Sequence, residues 1–389
     1  MILYLRAVAA PSLYLSRLDE GALAAGFQVQ RFNLSLVQGL AARESVVALS
    51  ALPYLPGVRA PRDERSEDGV RFISVACSVG LRRKISNITS LVREGSRLLK
   101  DREGGGRDLI ICDAVSHAAS AAALRLSKKF KVPAVAIVTD LPEVMYDGKL
   151  NLFGRISARL MKKYSAYVLL TEAMNEIANP ARRPYIVMEG LCAPDADAPR
   201  TPRGDGRRII VYSGSLWREA AGIEMLIEGF RRADIADAEL EFYGKGELVP
   251  EIERISASDP RVRYMGSLDN QSMARRLREV DLLVNPRPSS AEFCKYSFPS
   301  KTMDYMASGV PVLMTRLPGL PSDYRERVFF IEDESPAGVA AALERVLSQS
   351  DEALLAFGDE ARRFVLAEKN HLAQTARLLD FFESEKLIK

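Results

Sequence analysis

Between Asn285 and Tyr324 the chain reads NPRPSSAEFCKYSFPSKTMDYMASGVPVLMTRLPGLPSDY. Arg287, Ser300, Lys301 and Asp304 are the residues of this stretch whose types suit joint chemistry. Asp304 lies three residues past Lys301 and four past Ser300, which places all three on one face of a helix. One helical turn rises about 5.4 Å, roughly the step from a diphosphate to the neighbouring ribose hydroxyls. Cations and the free amides of a helix start suit the diphosphate; a carboxylate suits the ribose diol. The pattern bounds that helix. Pro299 is tolerated in its first turn, and Met303, Met306 and Ala307 give it one apolar face. Gly309 follows the last turn and Pro311 forbids continuation. The expectation is a nucleotide-diphosphate cradle on a strand-loop-helix-strand unit.

The elements that must position these residues alternate along both halves of the chain, as in doubly wound α/β domains. In the second half, strands are expected at 208–216, 240–248, 262–268, 281–287 and 328–333, with helices between them. In the first half they fall at 2–5, 44–50, 70–76, 108–113, 134–140, 166–171 and 185–190. Helices are expected at 32–42 and 116–130, and residues 351–385 read as helical. Ligands in such sheets bind beyond the carboxyl ends of strands, where Asp113, Asp140, Glu143 and Glu189 stand. Gly214 ends the first strand of the second half in YSGSL, followed by Ser215 and Arg218. GKGE supplies Gly244 and Gly246, and YMG supplies Tyr264 and Gly266. Glycines there let backbone groups approach a phosphate or a base edge. Residues 192–208, CAPDADAPRTPRGDGRR, carry no periodicity and read as an interdomain linker.

At 389 residues, 47% hydrophobic and 27% charged, the chain suits two soluble domains. The four cysteines, Cys77, Cys112, Cys192 and Cys294, form no CxxC pair, and two histidines, His117 and His371, make no zinc site at this spacing. The net charge of +3 is uneven: +8 over residues 1–195 and −5 over the rest. A basic first half suggests an anionic surface or acceptor. No basic run interleaved with aromatics argues for nucleic acid. No apolar run reaches the roughly 18 residues of a membrane span, so the expected location is cytoplasmic, at the inner face of the membrane if bound there. Two basic helical segments, 81–100 and 152–164, suit such a surface through Arg82, Arg83, Lys84, Lys162 and Lys163.

The loop, Asp304, the run Met306 to Val312 and the Pro318-Gly319 turn together resemble the donor site of GT-B glycosyltransferases. The nearest branch is the retaining group 1 (family four) enzymes of bacterial surface-polysaccharide synthesis, in a subgroup marked by Phe298 to Lys301 (FPSK) and an upstream NPR. The resemblance implies two Rossmann-like doubly wound domains facing a cleft: an acceptor domain over 1–195, a linker over 196–207, a donor domain over 208–365, and a terminal helix over 366–389 packing back on the first domain. It assigns donor contacts to Gly214, Ser215, Arg218, Gly244, Gly246, Tyr264, Gly266, Glu292, Tyr296, Ser297, Ser300, Lys301 and Asp304. Lys301 and Arg287 would stabilise the leaving diphosphate, and Asp140 would orient an acceptor hydroxyl. The chain departs from the family at three places. The first of two usual glutamates falls on Tyr296, with Glu292 out of register; Ser215 replaces an arginine; and Ala221 precedes Gly222 where a lysine is usual. Arg218, Arg287 and Lys301 are the cations left to replace that pair. The implied reaction takes a sugar from a nucleoside-diphosphate sugar, UDP favoured, without metal or other cofactor, to a saccharide or polyprenyl-diphosphate-linked acceptor. The alternatives are an accessory subunit that has lost catalysis and an epimerase of the same architecture.

Overall fold

The computed structural model describes residues 1–23, 26–76, 83–101, 107–145, 150–192, 200, 206–218 and 222–388. Cys77, Arg82, Ala221 and the 196–207 linker apart from Arg200, Gly206 and Arg207 lie outside the described residues, as do the side chains of Arg83 and Lys84. The chain divides into two compact units, Met1–Leu191 with His371–Lys389, and Cys192–Asn370.

The first unit runs β1 (Ile2–Leu5), α1 (Pro11–Asp19), α2 (Phe27–Ala41), β2 (Val46–Ser50), β3 (Asp63–Glu67), β4 (Val70–Ser74), α3 (Arg83–Lys100), β5 (Leu109–Asp113), α4 (His117–Phe130), β6 (Ala134–Val138), α5 (Pro142–Met145), α6 (Leu152–Met161), β7 (Ala166–Leu169), α7 (Met174–Ala178) and β8 (Tyr185–Val187). The strands form one sheet in the order β3-β4-β2-β1-β5-β6-β7-β8. Every pairing is parallel except β3 with β4. Runs such as LIICD and AVAIV are buried throughout, as strands covered on both faces must be. Strand β3, DERSE, was not expected. It is polar because it is an edge strand, alternating between half-buried and exposed. Its signal is the Asp68-Gly69 turn, both residues at positive φ, the pattern of a two-residue hairpin.

The second unit runs β9 (Arg208–Ser215), α8 (Ile223–Arg232), β10 (Ala238–Lys245), α9 (Val249–Ser258), β11 (Val262–Tyr264), α10 (Asn270–Leu277), β12 (Leu282–Asn285), α11 (Lys301–Ala307), β13 (Val312–Thr315), β14 (Phe329–Ile331), α12 (Pro336–Leu347) and α13 (Asp351–Glu368). Its parallel sheet has the order β11-β10-β9-β12-β13-β14. Within the stretch expected to be a structureless linker, Arg200 is buried. It donates to Asp281 at 3.1 Å, whose other oxygen accepts from the Ile209 amide at 2.8 Å. The chain is thus pinned to the second unit eight residues before β9.

The helical stretch expected over 351–385 consists of two helices. It breaks at Lys369-Asn370, between α13 and α14 (His371–Ser384), where the chain passes from the second unit to the first. Leu378, Leu379, Phe382 and Ile388 then join the core of the first unit. Helix α14 lies close on α2, because Gly39 offers no Cβ: one built there would meet the His371 carbonyl and Thr375 Oγ1 at 2.6 Å.

Candidate functional site

In each sheet the strand order reverses beside the first strand, between β1 and β5 in one unit and between β9 and β12 in the other. Such a switch point opens a crevice beyond the strand ends. In the second unit, Gly214 and Ser215 end β9, while Asn285 ends β12 and leads into Arg287.

Helix α11 is fixed to both strands. The Tyr305 hydroxyl accepts from the Ser213 amide at 2.8 Å and lies 3.1 Å from the Ser213 carbonyl, to which it donates. The Asn285 amide group donates to Thr302 Oγ1 at 3.4 Å, both residues buried. These anchors bring Lys301 to the switch point. Its ammonium donates to the Tyr212 hydroxyl at 2.9 Å and lies 4.0 Å from the centre of that ring. The Tyr212 hydroxyl donates in turn to the Ser215 carbonyl at 2.8 Å. Tyr212 was not singled out in the sequence, where a tyrosine inside a strand looks like core. Gly214 makes the approach possible. Its φ is +141°, which favours glycine, and a Cβ there would stand 2.6 Å from Lys301 Nζ.

Lys301 is half-buried, with its ammonium packed against the Tyr212 ring and the β9 backbone. Desolvation of that ammonium, followed by the positive charge of Arg287, lowers its pKa to about 7. Arg287 donates to Ser297 Oγ at 3.3 Å and lies over the Phe293 ring. Thr315 Oγ1 donates to the Arg287 carbonyl. Lys301, Arg287 and Ser297 therefore share one corner of the site, and the half-buried Asp304 follows Lys301 on α11.

The expected amide cradle is reduced. Helix α11 has seven residues, Ser300 makes no side-chain cap, and its first turn is tight: the Thr302 amide donates to the Pro299 carbonyl at 2.8 Å, and the Met303 amide to the Ser300 carbonyl at 3.2 Å. Those amides are already satisfied, so side chains carry the site's positive charge. Arg218 is tied down as well. Its guanidinium pairs with Glu224 and, at 2.9 Å, with Glu251. Glu292 is exposed in a 3-10 turn, Glu292–Lys295, that ends at Tyr296.

The glycine turns pack around the end of β9. Gly244 is registered against Gly214, and a Cβ on it would meet the Gly214 carbonyl oxygen at 1.8 Å. The Gly246 position faces the Leu216 backbone at 2.2 Å. The Tyr264 hydroxyl donates to the Gly244 carbonyl at 2.8 Å, and the Gly244 amide to the Gly266 carbonyl at 2.8 Å. Tyr264 and Gly266 thus hold the turn that holds Gly214.

Residues 207–349 match the model of the family described as glycosyl transferases group 1. No curated protein matches the chain. Solved structures match it almost end to end. Sucrose-phosphate synthase of Thermosynechococcus elongatus superposes with a TM-score of 0.66 at 15% identity, over 99% of this chain and 98% of that one. The structure titled trehalose-6-phosphate from E. coli, bound with UDP-2-fluoro glucose, gives 0.69 at 11% identity, over 100% and 99%. HepE of Anabaena, in complex with UDP and glucose, gives 0.60 at 11% identity, over 98% and 99%. The fold is GT-B.

The first GT-B unit has its own crevice at the β1/β5 switch point. A cavity of about 150 Å³ there is lined by Arg6, Leu49, Pro53, Asn87, Leu91 and Ser116 among others. Arg6 pairs with the carboxylate of Asp113, which is 1% exposed. The other Asp113 oxygen accepts from the Val115 amide at 2.9 Å. Burial raises the Asp113 pKa, opposed by Arg6. Asp140 is exposed just past β6. Partial withdrawal of its carboxyl from water, and then repulsion by Asp113, raise its pKa. Arg6, which lines this cavity and pairs with Asp113, is not marked in the sequence. Asp113 is marked only by its position at a strand end.

Proposed function

We propose that the protein is a retaining glycosyltransferase that takes a sugar from a nucleoside-diphosphate sugar, UDP favoured. One observation carries this reading: Lys301 sits at the β9/β12 switch point, against a glycine that must lack a side chain, beside Arg287 and Asp304. That constellation falls inside the region matching the group 1 family. Arg287 and the Lys301 ammonium would face the diphosphate, and Asp304 would accept from the ribose diol. The UDP and sugar ligands of the two structural relatives support this choice of donor.

In the reaction the bond between the anomeric carbon and the phosphate oxygen breaks, and its electron pair stays with the diphosphate. The acceptor hydroxyl forms the new bond, and its proton goes to the leaving phosphate. Charge grows on the diphosphate as the bond breaks, so preformed cations help the transition state most. Attack on the same face, assisted by that phosphate, needs no protein nucleophile, which suits a site where Tyr296 stands in place of a glutamate. We place the acceptor on the first unit, at the Arg6 cavity, with Asp140 orienting its hydroxyl. A saccharide on an anionic polyprenyl-diphosphate carrier suits the +8 charge of residues 1–195, as does attachment to an anionic membrane. No helix among the described residues is long and apolar enough to cross a bilayer.

A second reading, an accessory subunit that binds the nucleotide sugar without transfer, is favoured by Tyr296 and by the pairing of Arg218 with two glutamates. A thermal-shift screen over UDP-, GDP-, dTDP- and ADP-sugars tests binding. Stabilisation by one of them, with slow hydrolysis of that sugar, is the expected result. Stabilisation without hydrolysis or transfer selects the accessory reading, and no stabilisation by any donor refutes both.

A further inference from the structure

Away from both switch points, the first unit carries a second concavity, about 480 Å³, between α3 and α4. Five exposed cations line it: Arg93, Arg97 and Lys100 from α3, and Arg125 and Lys129 from α4. Among the described residues that line it, Asp101 is the one carboxylate. The packing of the two helices forces these charges together. Gly95 of α3 receives Leu126 of α4, whose Cδ1 would stand 2.5 Å from a Cβ there, and so close a crossing places the flanking arginines and lysines on facing rims. Spacings of four and three residues keep Arg93, Arg97 and Lys100 on one stripe.

Some of this charge has a local use. Arg97 pairs with Glu94 at 2.7 Å. Lys129 donates to Ser96 Oγ at 3.1 Å, on a residue that is 8% exposed. Arg97, Lys100 and Lys129 also lie in last helical turns, where cations offset the helix dipole. None of this accounts for Arg93 and Arg125. Both lie before the last turns, and neither has a hydrogen-bond or ion-pair partner among the described residues.

We infer that the α3/α4 groove binds a ligand carrying two or more phosphate groups, held by Arg93 and Arg125 across the groove. Guanidinium forks match phosphate oxygens in pairs, and three of the five cations are arginines. The groove is concave, which suits a discrete group more than a flat surface. Among the described residues, no aromatic ring lines it for base stacking. The phosphates can belong to a free diphosphate compound or to a lipid headgroup.

Calorimetric titration with inorganic diphosphate tests this on the full chain in a Lys301→Ala background, which weakens the proposed donor site. Binding is expected to persist there, to fall steeply between 50 and 200 mM salt as charge-driven contacts on the order of a Debye length must, and to weaken at least tenfold in Arg93→Glu/Arg125→Glu. Arg93→Gln/Arg125→Gln serves if charge reversal lowers the melting temperature. Flotation with phosphatidylglycerol and phosphatidylcholine vesicles separates the two sources. A lipid headgroup predicts flotation with the anionic vesicles only, lost in the same double variant; a free ligand predicts titration without flotation. Indifference of both assays to the Arg93/Arg125 changes, or binding that vanishes with Lys301→Ala and is absent from vesicles, overturns the inference.

Discussion

At Lys301, desolvation and the charge of Arg287 bring the ammonium pKa to about 7, so near neutrality the empty site holds it partly neutral. A bound diphosphate favours the charged form, and its binding must therefore draw in a proton. Calorimetry at pH 8 in buffers of different ionisation enthalpy is expected to show proton uptake on donor binding, absent in Lys301→Met. Affinity is expected to fall as pH rises through 7, because each binding event then bears the cost of protonation. The same shift acts on folding. A lysine whose folded pKa lies below its ordinary value weakens the fold wherever it is charged in both states. That penalty is full below pH 7 and is relieved as pH climbs towards about 10.4. Asp304→Ala removes the proposed acceptor for the ribose diol. Hydrogen bonds to charged groups contribute about 1.5–3 kcal/mol, so nucleotide affinity is expected to drop roughly tenfold or more, read by the same titration. Unchanged affinity would move the ribose contact away from α11.

At the scale of elements, the site depends on how closely strand ends can approach. Gly244 and Gly214 lie side by side with φ of +138° and +141°, and the Gly214 carbonyl occupies the place of any Gly244 side chain. Gly244→Ala forces backbone apart at the base of the turn that holds Gly214 under Lys301. An alanine where the native conformation is incompatible destabilises by more than about 1 kcal/mol. The expected result is a lower melting temperature together with weaker donor binding. Gly266→Ala is the control: its φ is +82° but no atom of the described residues stands within 4 Å of the place of its Cβ, so strain acts there without collision. An equal loss in both variants would mean that conformation, not close approach, decides this turn.

At the scale of the whole molecule, the chain's last segment belongs to its first unit. Phe382 is fully buried in that core beside Leu378 and Leu379. Phe382→Ala removes an aromatic side chain from a packed interior, at a cost of about 3–5 kcal/mol. Calorimetric unfolding is expected to show the loss in the first unit, while the second, Cys192–Asn370, keeps its nucleotide-induced stabilisation. Equal loss of donor stabilisation would show that the second unit needs α14 in order to bind.

The sequence makes the alternation of strands and helices legible, because buried parallel strands must be apolar runs and their helices must carry an apolar stripe. It also located Lys301, Asp304 and the glycine turns, since proline, glycine and charge at helical spacing are local signals. The rest arises only from the folded arrangement. Edge strand β3 is polar because only one side of it meets a neighbour, so periodicity passes over it and only the Asp68-Gly69 turn marks it. Tyr212 becomes the partner of Lys301 through a contact across 89 residues, which no local pattern records. Arg218 was available as a cation in the sequence until folding brought Glu224 and Glu251 to it. The break at Lys369-Asn370 follows from which core receives the last helix. Spacing along one helix or strand is written in the sequence. Neighbours from different strands, and the loss of water that shifts the charge on Lys301, exist only once the sheet has brought those strands together.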